Sequence, residues 1–325
     1  MRILWLLVLA FALPLPVRAE TPAFQLQKPI ACTLGQDCFI QQYPDHDPGP
    51  DAKDYRCGIA TYDGHDGTDF RIPDKVAQAG GVAVLAAAPG VVKAIRDGQP
   101  DFDVGAFDKA RVKGIECGNG VLVEHADGWQ TQYCHMRQGS VRVKAGDRVA
   151  AGTPLGMVGQ SGGAAFPHLH LTVRRNGKWL DPFADGGPCG QGQSLWKADD
   201  RAELAYHDND ILNAGFAGSP VTVDDIERGG IAAPTRASPA LVVYVRALHL
   251  HQGDIQRILI KGPDGQTLVD SASPALDHDK AQAMVFSGKK RPGALWPAGS
   301  YSAVYTVTRA GKVILSKTLS QSFAP

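Results

Sequence analysis

From about residue 51 short, mostly apolar β-type runs alternate with turns rich in glycine, asparagine and aspartate. Residues 82–86, 91–95, 121–125, 130–135 and 169–173 are short β-type runs, continuously apolar at 82–86 and alternating at 169–173. Between them, Gly90, Gly118-Asn119-Gly120, Asp127-Gly128 and Asn176-Gly177 supply residues that tolerate positive φ, which tight hairpins require. A second set of strand-like runs, at 241–248, 255–260, 267–269, 301–308 and 313–318, follows a Gly/Gln-rich stretch at 190–193. The pattern predicts an all-β chain: a β domain over residues 51–190, a linker at 191–204 and an immunoglobulin-like β-sandwich over 205–325. Residues 20–50 are irregular and rich in proline and aspartate, which reads as an N-terminal extension.

One apolar run has a different character. After Arg2, residues 3–17 are almost unbroken in apolarity, and Val17-Arg18-Ala19 follows. The run is shorter than the roughly 20 residues that a membrane-spanning helix needs, and Pro14 and Pro16 interrupt it. Small residues at its end suit signal-peptidase cleavage, expected after Ala19, so that residues 1–19 are a signal peptide and no stable membrane span remains. The 325 residues are 44% apolar and 20% charged, which excludes disorder for most of the chain. With 33 basic against 33 acidic residues there is no cationic excess to bind nucleic acid. Cleavage would remove Arg2 and Arg18, leaving 31 basic residues against the 33 acidic ones, which strengthens that exclusion.

Six cysteines, at 32, 38, 57, 117, 134 and 189, lie beyond the signal. An even count in an exported chain predicts disulfides and an oxidising compartment, with a periplasm a better fit than an external medium. No Cys-x-x-Cys pair is present to chelate zinc. Proximity pairs Cys32 with Cys38, and the other four are expected as Cys57–Cys117 and Cys134–Cys189.

Histidines and aspartates concentrate in the first β region. In His65-Asp66-Gly67-Thr68-Asp69, Gly67 argues against a helix, so a turn must bring the His65 imidazole and the Asp69 carboxylate together. Both are donors that zinc accepts. In Pro167-His168-Leu169-His170-Leu171, period two puts His168 and His170 on one strand face, converging on one site, while the leucines enter the core. In Tyr133-Cys134-His135-Met136, the same alternation puts His135 on the face of Tyr133 and opposite Cys134. His46, His125, His207, His249, His251 and His278 lack such partners in sequence and are read as solvated or locally satisfied side chains.

Over residues 55–185 these segments, in this order, resemble the lysostaphin-type zinc metallopeptidases, also called LytM-type or M23 endopeptidases. His65-x-x-x-Asp69 matches the family's first metal motif and residues 81–90 its Gly/Ala-rich hairpin. Residues 125–136 resemble its segment ending in Tyr-x-His-Leu, with Met136 in place of leucine. Gly156-Met157-Val158-Gly159-Gln160-Ser161-Gly162 and His168-Leu169-His170 resemble its Gly-rich turn and His-x-His strand, while residues 99–113 look like an insertion. The resemblance implies an antiparallel β metallopeptidase domain at 51–190 with zinc ligands at His65, Asp69 and His170. It puts non-ligand catalytic histidines at His135 and His168. Three protein ligands leave one position open for an activated water. The substrate it implies is the peptide part of bacterial peptidoglycan, its cross-links or stem peptides. No His-Glu-x-x-His supplies a base, so His135 and His168 are expected to share proton transfer and oxyanion stabilisation.

Two rival readings exist. Gly159-Gln160-Ser161-Gly162-Gly163 matches the nucleophile elbow of serine hydrolases in form, but Gly163, Pro167 and a strand-like run follow it where a helix is required. A non-cleaving wall-binding or amidase-activating protein could use the same fold, but such proteins typically lack metal ligands that this chain retains.

Overall fold

A computed structural model describes residues 24–325; the expected signal peptide, 1–19, lies outside the described residues. The N-terminal unit comprises strands β1 (Phe39–Gln42), β2 (Thr68–Arg71), β3 (Ala83–Leu85), β4 (Gly90–Arg96), β5 (Asn119–Glu124), β6 (Trp129–Met136), β7 (Arg148–Val149), β8 (Pro154–Met157), β9 (His168–Arg175) and β10 (Lys178–Leu180). A short helix, α1 (Lys75–Gly80), follows β2, with Asp74 capping its first turn. The main sheet is antiparallel in the order β1-β2-β9-β6-β5-β4-β7, with β10 also on β9, and β3 and β8 form a separate pair.

Alternation gives this sheet two unlike faces. Phe70, Leu169, Leu171, Val173, Tyr133, Val121 and Val123 share one buried apolar core. The opposite face carries Asp69, His168, His170 and Thr172, since Phe70 pairs with Leu169 and Asp69 with His170 in adjacent register. Residues 97–118, expected in part as an insertion, connect the paired strands β4 and β5.

Two segments expected to lie outside the domain pack into it. Leu26, Ile30 and Cys38 from the expected extension, and Trp196 and Leu204 from the expected linker, join the same core. Leu26 bridges to Trp196, and β1 forms an edge of the sheet. Strands of four residues or fewer among prolines carry too little periodicity to be recognised in sequence.

The C-terminal unit contains β11 (Asp210–Ala217), β12 (Ala240–Leu250), β13 (Ile255–Lys261), β14 (Thr267–Ala272), β15 (Lys280–Lys290), β16 (Gly299–Arg309) and β17 (Lys312–Phe323), with helices α2 (Ala198–Arg201) before it and α3 (Val223–Arg228) within it. Its sheets, β11-β12-β15 and β14-β13-β16-β17, are antiparallel and enclose one core built around Val243, Val245, Ile258, Tyr305 and Trp296. This is a two-layer sandwich. Its fourth strand, β14, pairs with β13 and not with β15, which moves that strand to the other sheet relative to an immunoglobulin constant domain. Phe39, Leu212 and Leu248 pack together between the two units, and His249 Nε2 donates to the Gln41 carbonyl at 2.7 Å.

The disulfides are Cys32–Cys38, Cys57–Cys189 and Cys117–Cys134. The first is the expected pair, whereas the expected Cys57–Cys117 and Cys134–Cys189 bridges are replaced by Cys57–Cys189 and Cys117–Cys134. The reason is the β5–β6 hairpin: the His135 N–H donates to the Cys117 carbonyl at 2.8 Å, so Cys117 lies beside Cys134. Cys57 and Cys189 meet where the Gly190 N–H donates to the Tyr55 carbonyl at 2.6 Å.

Candidate metal centre

Sheet register brings together residues more than a hundred positions apart. Asp69 on β2 is paired with His170 on β9, and the turn before β2 folds His65 over them. His65 Nε2 lies 3.3 Å from Asp69 Oδ1 and 3.3 Å from His170 Nδ1, and His170 Nδ1 lies 2.9 Å from Asp69 Oδ1. A tetrahedral zinc ion bound at roughly 2.0–2.2 Å needs donor atoms roughly 3.3–3.6 Å apart, so the triangle fits with a small expansion of one edge. Among the described residues, this is the one cluster of histidine and carboxylate donors not built on a disulfide. Gly67 permits it, because a Cβ there would stand 2.5 Å from His170 Nε2.

Each ring is oriented by its other nitrogen. His65 donates Nδ1–H to the Tyr43 carbonyl at 2.7 Å, which leaves the Nε2 lone pair directed at the cluster. His170 is turned the other way: its Nε2 faces Thr172 Oγ1 at 3.0 Å and Asp66 Oδ1 at 3.3 Å, freeing Nδ1 as the donor atom. Asp66 is held in turn by Arg174 at 3.3 Å. Burial disfavours the Asp69 carboxylate, but the surrounding imidazoles of His65, His168 and His170 outweigh this and hold it well below the usual carboxylate range. Burial pushes the His170 imidazole down, and the hydrogen bonds to Asp66 and Asp69 outweigh it, raising the group to about 9. A metal ion held at Nδ1 would have to displace that proton, so its binding would weaken in acid.

His135 and His168 flank the triangle. Their ring centres are 4.6 Å apart, and that of His135 is 5.8 Å from that of His170. His168 donates Nδ1–H to the Phe166 carbonyl at 2.9 Å, and its Nε2 lies 3.5 Å from Asp69 Oδ1. His135 donates Nδ1–H to the Ser161 carbonyl at 2.8 Å. Burial lowers both imidazoles, that of His135 further because His168 and His170 repel its charged form. Both are therefore neutral near pH 7, with an Nε2 lone pair able to take a proton.

The face expected for His135 is corrected by the structure. Tyr133 pairs with Leu171 on the core face, so strict alternation would bury His135 with it. Instead β6 bulges: Val121 pairs with Tyr133 and Asn119 with Met136, so Cys134 and His135 stand opposite Gly120 alone. His135 takes φ 61°, the left-handed region, and this turns it onto the face of Cys134 and His170. The Cys117–Cys134 bridge sits next to the bulge. Replacing both cysteines with serine should lower unfolding stability by about 3 kcal/mol, the chain-entropy value for a separation of 17, read as a lower urea midpoint. An unchanged midpoint would show that the bridge does not constrain the hairpin.

The serine-nucleophile reading fails on geometry. Ser161 is fully buried, its hydroxyl donates to the Met136 carbonyl at 2.7 Å and accepts from the Asn119 N–H at 2.9 Å, and its own carbonyl orients His135. The histidines read as bystanders stay outside the cluster: His46 pairs with Asp181 and His207 with Asp210, while His125 faces the Pro89 carbonyl. Residues that sequence reasoning passed over are Asp66, Thr172 and Arg174, together with the carbonyls of Tyr43, Ser161 and Phe166. Asp66 was within the first motif, but nothing in a sequence separates an orienting carboxylate from its ligand neighbour. Tyr62, Gln132, His135, His170 and Arg174 line an open cavity of about 470 Å³ over the cluster, a volume ordinary for a binding site.

Residues 63–182 match the model of peptidase family M23. A DD-carboxypeptidase/endopeptidase of Neisseria meningitidis is 33% identical over 160 residues, 49% of this chain and 31% of that one. A peptidoglycan DD-endopeptidase of Vibrio cholerae is 29% identical over 114 residues, 35% of this chain and 21% of that one. The catalytic domain of a prophage-encoded M23 protein from Enterococcus faecalis is 28% identical, with 45% of this chain and 98% of that one covered and a TM-score of 0.30. The chain spans less than a third of the length of the curated relatives it matches.

Proposed function

Through residues 63–182 the chain belongs to peptidase family M23, and on that premise we propose that it is an exported zinc endopeptidase acting on the peptide cross-links or stem peptides of bacterial peptidoglycan. The observation that carries the reading is the triangle of His65 Nε2, Asp69 Oδ1 and His170 Nδ1, each ring fixed from behind. Similarity to the two DD-peptidases supports the substrate class and points to a DD-peptide bond. Three disulfides support an oxidising compartment, for which we propose the periplasm. Among the described residues no helix is long and apolar enough to cross a membrane.

His65, Asp69 and His170 would hold the zinc ion. When bound, zinc supplies a Lewis acid for the scissile carbonyl and lowers the pKa of water. The chain's own residues do the rest. His135 and His168, neutral and anchored at Nδ1, present Nε2 to the reacting groups, where one accepts the proton that the attacking water loses, stabilises developing negative charge as the imidazolium so formed, and returns the proton to the leaving amine, while the other orients the reacting groups. Arg174 keeps Asp66 on His170, which maintains the ring orientation that the site requires.

The test is to incubate the purified mature chain with isolated peptidoglycan and identify released fragments by mass spectrometry, with zinc content measured on the same sample. Fragments cut within the peptides, with glycan chains intact, are the expected result, sensitive to chelators and not to serine-directed reagents. Zinc-loaded protein that binds the wall and releases nothing would favour the non-cleaving, activator-type reading instead.

A further inference from the structure

The face that carries the metal centre continues into a second polar cluster. On β2, Arg71 pairs with His168 just as Asp69 pairs with His170, so alternation directs it to the same face. It is only 1% exposed, and its guanidinium lies 4.1 Å from the centre of the Phe166 ring. Phe166 is the residue whose carbonyl accepts the Nδ1–H of His168. From the other side the guanidinium is held by Glu227 of α3 at 2.5 Å and by Gln282 of β15 at 2.7 Å, both from the C-terminal unit, and it also donates to Gln41 Oε1 of β1 in its own unit. Glu227 also accepts from Arg246, which donates onward to the Pro73 carbonyl at 2.7 Å.

A buried group of two arginines and one glutamate is a poor way to join two β units. Taking the charges out of water costs about what their pairing returns, and apolar side chains of similar size often serve as well or better. The interface has that alternative close by in Phe39, Leu212 and Leu248. What the charges add is direction, because a guanidinium offers its donors in a rigid plane and a carboxylate can set the angle of that plane. We propose that Glu227 is a positioning residue for His168. It sets the plane of Arg71, Arg71 seats the Phe166 ring, and the Phe166 carbonyl fixes the imidazole with Nε2 toward Asp69. The C-terminal sandwich thereby completes the catalytic face and is more than a spacer. The kinetic part of this inference rests on the peptidase reading above; the geometric part does not.

The experiment uses the full mature chain, zinc-loaded and labelled with ¹⁵N-histidine, with Glu227→Gln and Arg71→Leu as variants. Arg71→Leu leaves Glu227 paired with Arg246 alone, so the interface keeps a balanced charge pair. In both variants the His168 Nδ1–H signal should exchange with water at least about tenfold faster, while that of His65, bonded to Tyr43, stays as in wild type. With peptidoglycan peptides as substrate, kcat should fall about tenfold, as for other residues that orient active-site histidines, with KM and zinc content unchanged and partial recovery in Glu227→Asp. An unchanged His168 signal in either folded variant overturns the proposal, and so does equal loosening of His65. If Glu227→Gln does not fold, Arg71→Leu decides alone. If wild type cleaves nothing, the peptidase reading fails and the imidazole comparison still decides this one.

Discussion

Replacing His170 with alanine is expected to leave a folded protein without bound zinc and with peptidoglycan hydrolysis at background, a loss of at least roughly 10⁴-fold, or about 5 kcal/mol of transition-state stabilisation. The size follows from the geometry. His170 Nδ1 is one corner of the donor triangle, and its removal leaves His65 and Asp69 as two donors only 3.3 Å apart, too few for a tight site. The fold should survive, because His170 sits on the solvent-side face of β9 while Leu169 and Leu171 keep their places in the core. Because zinc binds the native state alone, a chelator should lower the wild-type melting temperature and leave that of the variant unmoved. Zinc at wild-type content in the His170→Ala protein, or wild-type digestion by it, would sink the ligand assignment.

The second large effect concerns His135, and it separates proton chemistry from metal binding. His135→Ala should retain zinc and lower kcat by roughly 10²–10⁴-fold, the range for a lost general acid or base. The substitution also removes a side chain from a non-glycine residue at φ 61°. His135→Gly therefore serves as a second variant that relaxes this backbone. Equal losses in both would place the effect in the missing imidazole. If either variant lost its zinc in step with activity, His135 would be acting on the metal site and not as a group that moves protons.

Much of the site was legible in the chain itself. His65-x-x-x-Asp69 and His168-x-His170 contain the three residues that the fold brings together in the triangle, and the period-two rule put His168 and His170 on one face, where β9 has them. The long alternating strands were equally plain: runs at 130–135 and 169–173 fall inside β6 (Trp129–Met136) and β9 (His168–Arg175). What escaped has a common physical origin. The bulge at His135 depends on the Cys117 carbonyl and on Gly120 lying opposite two residues, a register that exists only once β5 and β6 have paired. The cysteine partners follow from the same pairing. Trp196 and Leu26 lie far apart in sequence and gain their place in the core only by packing against each other's segments.

The sequence by itself determined which side chains could bind a metal and move protons, because donor chemistry belongs to the residue type. It also determined which of them share a strand face, because the alternation of a strand is local geometry. Only the tertiary structure decided how each imidazole is turned, since three of the four are aimed by backbone carbonyls, at Tyr43, Ser161 and Phe166. Every residue carries such a carbonyl, so its position, and not its identity, makes it an orienting group.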